Sequence, residues 1–313
     1  MKLCDMDFFQ DDIMFFNANI AGNAGQAHYS PLAGPEEARD PRAQVAEQRR
    51  LERDLRDAVK REAFHLHYQP RLALASGEAN SAEALIRWPH RRRGVVPPMS
   101  FIPLAERNGL ILPIGAWVLR TACQEAAGWG RQDVSGLSLA VPSVPVPTVS
   151  VNVSARQIAD GVLLHQVAAA LEASGLPPER LELELTESML IQIDLDALLG
   201  LSALRDIGIG LALDDFGIGY ASLAMLRRLP LTVLKLDRSL IHGLPHERED
   251  AAIVRAVVET SHALGLRVVA EGIETAEQRD YLTQIGCDEG QGFLFSRPIG
   301  AEKLRQCTGF AAG

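Results

Sequence analysis

Cysteine is scarce in this chain of 313 residues: Cys4, Cys123, Cys287 and Cys307 lie far apart and form no C-x-x-C pair. That spacing suggests neither a zinc knuckle nor a disulfide framework, and four free thiols are expected. The sequence also lacks the apolar run of about 18 residues that a membrane-spanning helix needs. Its longest uncharged stretch, Val134 to Ala155, is interrupted by Pro142, Pro145 and Pro147. A secretory signal needs a basic start and a clean apolar core, whereas Met1 to Phe16 carries Asp5, Asp7, Asp11 and Asp12, so a cytoplasmic protein with no membrane segment is expected. Positive charge is the minority sign, 31 basic against 40 acidic residues, and the net charge of −9 argues against adhesion to nucleic acid polymers or anionic lipid. A phosphate-bearing small ligand would need a local cation or a metal to attract it. No G-x-G-x-x-G turn follows a strand, and no internal repeat recurs at a fixed period.

What is present is enough apolar sequence, 47%, to bury a large core, in one big α/β domain or two small ones. Residues 1–43 combine Phe8, Phe9, Phe15 and Phe16 with a Gly/Pro/Ala-rich stretch of no sustained period and read as an irregular N-terminal segment. Residues 44–61 place Val45, Leu51, Leu55, Ala58 and Val59 at helical spacing among charges, which predicts an amphipathic linker helix. Residues 62–305 then alternate short β-like runs with longer helical patterns, the mark of βα units, and 306–313 form a tail. The expected strands are Phe64–Tyr68, Ala82–Arg87, Thr148–Val153, Leu181–Leu185, Gly210–Asp214, Val233–Leu236, Arg267–Ala270 and Glu289–Phe293. Helices are expected over Pro103–Gly130, Ala155–Ser174, Asp194–Ile207, Arg248–Leu264 and Ala276–Ile285. This count over this length predicts an α/β fold of the TIM (β/α)8 type, with an open doubly wound sheet as the structural rival. The proline-rich segment Leu137 to Ser150 reads as a surface excursion.

Acidic and amide side chains recur at the ends of these strands: Glu83, Asn152, Glu184, the pair Asp214-Asp215, and Glu271, with Lys235 inside Leu234-Lys235-Leu236. In a barrel such ends converge on one rim. A carboxylate set in apolar sequence is costly to bury unless it meets a cation, and several together imply one. Oxygen donors without His or Cys favour Mg²⁺, Mn²⁺ or Ca²⁺ over zinc. Adjacent Asp214 and Asp215 suit two ions, one carboxylate bridging while its neighbour, turned aside at the strand end, serves the second. Two such ions polarise a phosphodiester and acidify a bridging water. Each group also has an ordinary reading: one strand-end acid is a helix cap or rim ion pair, Lys235 pairs Asp237 or Asp214, Arg87 makes a rim ion pair, and His90 with Arg91-Arg92-Arg93 lies on a solvated loop.

Glu83-Ala84-Leu85, continued by Ile86-Arg87-Trp88, resembles the signature of EAL-domain cyclic di-GMP (c-di-GMP) phosphodiesterases. Tyr68-Gln69-Pro70, Asn152-Val153-Ser154, Glu184-Leu185-Thr186-Glu187-Ser188, Asp214-Asp215-Phe216-Gly217, Lys235-Leu236-Asp237-Arg238, Glu271-Gly272-Ile273-Glu274-Thr275 and Gln291-Gly292-Phe293 follow in that family's order. The resemblance implies a modified TIM barrel with an antiparallel first strand and hydrolysis of c-di-GMP to linear pGpG in bacterial signalling. It implies that Glu83, Asn152, Glu184 and Asp214 hold a first Mg²⁺ or Mn²⁺, that Asp214 and Asp215 reach a second, and that Ca²⁺ inhibits. By the same resemblance Lys235 holds or polarises the attacking water and Glu271 acts as general base or positioner. Gln69, Leu85, Arg87, Asp237, Glu274, Gln291 and Pro298 are implied to touch the substrate or the water around it. Glu187 is implied to anchor the loop after the paired aspartates, which contributes to a homodimer.

That loop departs from the family's D-D-F-G-T-G-Y-S: Ile218 replaces the threonine and Ala221 the serine. Both changes remove hydroxyls, so a c-di-GMP receptor that binds without cleaving stands as the alternative to the enzyme. A third reading, a barrel enzyme that uses Mg²⁺ to stabilise an enolate, rests mainly on fold. Residues 44–59 resemble the helix that follows a GGDEF domain, which implies an upstream sensory or GGDEF-like domain, but no cyclase signature is present.

Overall fold

Strands buried on both faces need apolar side chains outside and a filled interior inside, and the alternation Leu181-Glu182-Leu183-Glu184-Leu185 supplies the outer half of that requirement. The computed structural model describes residues 41–129, 131–134, 137–140, 147–190, 193–219 and 223–307. Its main strands are β1 (His65–Ala73), β2 (Ala79–His90), β3 (Thr148–Asn152), β4 (Leu181–Thr186), β5 (Gly210–Phe216), β6 (Val233–Leu236), β7 (Arg267–Ala270) and β8 (Glu289–Gly290). Strands β2 to β8 run parallel in sequence order. β1 pairs antiparallel with β8, and a β1–β2 pairing closes the ring. The closed eight-stranded barrel with a reversed first strand is the expected fold.

The described chain forms two units, the larger containing Leu66–Ile86 and the described residues from Ile114 onward, the smaller residues 41–65 and Arg87–Pro113. The larger unit carries the barrel. Leu181, Leu183 and Leu185 are fully buried on one side of β4, while Glu182 and Glu184 are equally buried on the other. Ala212, Val233 and Val269 form a fully buried apolar group. In the smaller unit the helix Pro41–Lys60 buries Leu55 and Ala58, and Phe64, Trp88 and Phe101 pack with ring centroids 5.5 to 6.3 Å apart.

Several local expectations need correction. The helix predicted over Pro103–Gly130 is two, Pro98–Asn108 and Ile111–Ala126, because Gly109 adopts φ 78° and ends the first in a left-handed cap. The helix predicted over Ala155–Ser174 is likewise divided, at Gly161 with φ 67°, into Ala155–Ala159 and Leu163–Ser174. His90 lies on the strand and not on a loop: its Nε2 is 3.1 Å from Asp54 Oδ2 and its ring meets Trp88 edge-on. The hairpin to Gly94–Val96 extends β2 that far. The segment read as an excursion contains the strand Leu137–Ala140, paired antiparallel with Arg131–Val134, and its prolines Pro142 and Pro145 lie outside the described residues. Cys123, Cys287 and Cys307 are buried and joined in no disulfide among the described residues; Cys4, the N-terminal segment 1–40 and Ala221 lie outside them.

Candidate active site

A lysine in the middle of a barrel strand is costly unless anions surround it, and Lys235 on β6 is fully buried among four carboxylates. Its Nζ lies 2.7 Å from Glu271 Oε1, 3.0 Å from Glu184 Oε1, 3.1 Å from Asp214 Oδ1 and 3.9 Å from Glu83 Oε2. The acids come from β2, β4, β5 and the residue after β7, and the barrel brings all of them to one place, although Glu83 lies within the strand Ala79–His90 and not at the strand end expected for it. Burial alone would lower the Lys235 pKa, but Asp214, Glu184, Glu271 and Glu83 more than reverse this and hold it well above the usual range. Burial pushes Glu184 up to about 8, with the nearby Glu83 adding to the effect and Lys235 opposing it.

Amides set the orientation of Glu83. Asn152 Nδ2 donates to Glu83 Oε1 at 2.9 Å and Gln291 Nε2 to Glu83 Oε2 at 2.7 Å. Burial would raise this carboxyl, yet Lys235 and these amides hold it below its usual value. Gln291 also donates to Gln69 Oε1 at 3.1 Å, and Gln69 Nε2 donates to the Ser296 carbonyl at 3.1 Å. A chain of amides thus runs from Ser296 to Glu83. Gly292, next to Gln291, allows it: a Cβ there would stand 2.1 Å from the Ile273 carbonyl oxygen.

The adjacent aspartates reach one site through a β-bulge. Leu213 opposes Leu234 and Phe216 opposes Leu236, so Asp214 and Asp215 together face Lys235 alone. Asp215 adopts φ 58°, rare for a residue with a Cβ, and its N–H donates to Asp214 Oδ1 at 3.0 Å. In a regular strand the two side chains would point to opposite faces; the bulge removes that constraint. Burial and then the Asp214 charge push Asp215 up to about 7.

The donor set fits a divalent metal. Apart from the Lys235 ammonium no donor reaches either oxygen of the fully buried Glu184 or Oε1 of Glu271, and Gln291 Oε1 also lacks one. Asp214, Asp215, Glu83, Glu184 and Glu271 outnumber the single ammonium, an excess of negative charge that a divalent ion would balance. Among the described residues no three acidic, histidine or cysteine side chains are already gathered closely enough to hold a metal ion, and the four carboxylates here surround Lys235. Such an ion would favour the ionised carboxylates and so oppose the upward push that burial gives Glu184 and Asp215.

The remaining candidates are less enclosed. Asp237 is half-buried and its Oδ1 accepts the Ser239 N–H at 2.8 Å; Leu85 and Pro298 are half-buried, and Glu274 is exposed. Arg87 belongs to the smaller unit, where it is buried. Sequence reasoning missed a second buried set beneath the site, Arg71, Ser81, Glu182 and Glu289. The signal was available at Glu182, two residues before Glu184 and therefore on the same face of β4.

The sequence model of the EAL domain matches residues 52–298. The chain belongs to the EAL domain family. It is 43% identical over 266 residues to the bifunctional diguanylate cyclase/cyclic di-GMP phosphodiesterase MucR of Pseudomonas aeruginosa, covering 84% of this chain and 37% of that protein. It is 41% identical over 289 residues to the cyclic di-GMP phosphodiesterase NbdA of the same organism, covering 91% of this chain and 36% of NbdA. The chain therefore spans little more than a third of these relatives. Among solved structures, the MucR phosphodiesterase in complex with c-di-GMP superposes with a TM-score of 0.73 at 42% identity, covering 82% of this chain and 99% of that one. The EAL enzyme Bd1971 bound to cAMP and c-di-GMP gives a TM-score of 0.74 at 27% identity, covering 83% of this chain and 68% of that one. EAL phosphodiesterases as a family depend on divalent metal.

In this EAL domain the loop after Asp215 keeps an anchor despite its lost hydroxyl. Glu187, buried at the end of β4, accepts the Gly219 N–H on Oε2 at 3.1 Å, and a Cβ at Gly219 would stand 2.8 Å from Glu187 Oε1. Ile218 itself is 48% exposed. Ile218→Thr is therefore expected to lower the metal concentration for half-maximal activity by no more than about threefold, the size of one modest hydrogen bond. A metal titration of both forms checks this, and a tenfold gain would show that Ile218 weakens the site.

Proposed function

We propose that this chain is a metal-dependent phosphodiesterase that hydrolyses c-di-GMP to linear pGpG. The observation that carries the reading is the convergence of Glu83, Glu184, Asp214 and Glu271 on Lys235, with Glu184 Oε2 left without a partner. The named relatives and the c-di-GMP complex of MucR support the substrate.

Glu83, Asn152, Glu184 and Asp214 would hold a first Mg²⁺ or Mn²⁺, and Asp214 with Asp215 a second. When bound, these ions supply Lewis-acid polarisation of the phosphodiester and a lowered pKa for the attacking water. Asn152 commits its Nδ2 to Glu83, which leaves Oδ1 as the atom for a cation. Lys235, kept protonated by its carboxylates, stabilises negative charge that develops on the attacking oxygen. Glu271, 2.7 Å from Lys235, accepts the water proton or orients the water. The water oxygen bonds to phosphorus, the bond to one 3′ oxygen breaks, and that oxygen leaves as the hydroxyl of pGpG. Gln69, Leu85, Arg87, Asp237, Glu274 and Pro298 would bind the nucleotide, Arg87 at phosphate and Glu274 at a guanine edge, while Gln291 steadies Glu83 and the water. The family likeness also supports a cytoplasmic homodimer acting under an upstream sensory or GGDEF-like domain. No helix among the described residues is long and apolar enough to cross a membrane.

Incubation with c-di-GMP and Mn²⁺ or Mg²⁺, followed by chromatography, tests the proposal. pGpG is expected with either ion and none with chelator. Ca²⁺ is expected to bind but to reduce turnover by at least about tenfold, because its longer and looser coordination misplaces the water. Tight nucleotide binding with no pGpG under any metal would instead support a receptor.

A further inference from the structure

We propose that Arg71 is a positioning residue that holds Glu184 in its metal-ligating orientation from below. The inference rests on the reading of Glu184 as a metal ligand. Arg71 on β1 is 1% exposed, and nothing in the acidic rim pattern points to it. Its NH1 lies 2.8 Å from Glu182 Oε1 and 3.7 Å from Glu184 Oε1; its Nε donates to Ser81 Oγ at 2.8 Å and lies 3.6 Å from Glu289 Oε2. Arg267 pairs with the same two acids, 3.4 Å from Glu182 Oε2 and in a short contact with Glu289 Oε1. Glu182 and Glu289 are thus matched in charge by Arg71 and Arg267, which makes this lower layer neutral by itself. The upper layer keeps its negative excess for the metal.

Glu184 sits at the boundary of the two layers, fully buried, with Arg71 NH1 3.7 Å and Lys235 Nζ 3.0 Å from the same oxygen, Oε1. These two cations, both directed at Oε1, are the polar groups that restrain the carboxylate, and Oε2 is left without a partner. The guanidinium, itself fixed by Glu182 and Ser81, holds its NH1 3.7 Å from Glu184 Oε1 and so gives that oxygen a set direction. Such support around a ligand typically governs metal affinity by 10- to 100-fold.

The sign of the effect separates this role from its rivals. A guanidinium acting only as a nearby positive charge weakens cation binding, so its removal would tighten the site. A group serving only fold stability would leave the site unchanged. Positioning predicts that Arg71→Met weakens Mn²⁺ binding to the nucleotide-free protein, measured by calorimetry, by about tenfold or more. Arg71→Lys, which keeps the charge but not the fork, should fall between Arg71→Met and the unaltered protein. At saturating Mn²⁺ the KM for c-di-GMP should be unchanged in both. Unchanged or tighter Mn²⁺ binding in a folded Arg71→Met protein overturns the proposal. Should that variant not fold, Mn²⁺ binding by Arg71→Lys equal to that of the unaltered protein does the same. Glu184→Gln distinguishes the underlying reading: unaltered Mn²⁺ affinity there removes Glu184 from the ligand set and takes both claims down, whereas lost affinity there with no change in the Arg71 variants defeats the positioning role alone.

Discussion

Lys235→Met is expected to lower c-di-GMP turnover by about 10³-fold, the range for removing a group that stabilises charge or manages a proton in the transition state. The methionine fills much the same space but leaves Glu83, Glu184, Asp214 and Glu271 without the ammonium that now lies within 3.9 Å of each. Breaking a buried ion pair from one side costs about 3–5 kcal/mol, so the metal-free variant should also unfold at a lower temperature. Mn²⁺ should recover more of the melting temperature in the variant than it adds to the unaltered protein, because the ion then takes over the whole task of neutralisation. Steady-state kinetics and melting curves with and without Mn²⁺ check both halves. Turnover within tenfold of the unaltered protein would make Lys235 a structural counter-ion only.

Glu83→Gln is expected to abolish hydrolysis to a similar extent, about 10³-fold, by removing an anionic ligand from a site held together by charge. The substitution is also geometrically wrong. Both Glu83 oxygens accept hydrogen bonds, from Asn152 and from Gln291, so the new amide nitrogen must face one of those donors. Asn152 and Gln291 would lose their fixed orientation together with the charge. The Mn²⁺ isotherm of the nucleotide-free variant should be weakened in parallel with turnover. Lost turnover with an unaltered isotherm would place Glu83 outside the metal shell.

Much of the site was legible because a carboxylate inside an apolar strand has few ways to be stable. Glu83, Glu184, Asp214 and Glu271 announce a common partner by that argument alone, and the closed barrel brings them to Lys235. Other features depend on pairing that no single strand contains. The bulge at Asp214 and Asp215 exists only relative to Lys235 on the neighbouring strand, and the φ of 58° at Asp215 follows from it. Arg71 lies outside the strand-end pattern, because its partners Glu182 and Glu289 sit one layer below the rim. Helix boundaries failed at Gly109 and Gly161, where apolar periodicity continues across a left-handed glycine that stops the helix. Ile218 marked the loop as weakened in sequence, yet Glu187 holds that loop through the Gly219 backbone, which any residue at 218 leaves intact.

The most direct test of the metal-dependent site is anomalous diffraction at the manganese edge from crystals grown with Mn²⁺ and c-di-GMP. The account predicts two peaks at the mouth of the barrel, one within ligand distance of Glu83, Asn152, Glu184 and Asp214, the other touching Asp214 and Asp215, with the scissile phosphate over both. Nucleotide bound in the barrel mouth with no manganese on those side chains, or manganese held by a different set of residues, would contradict it.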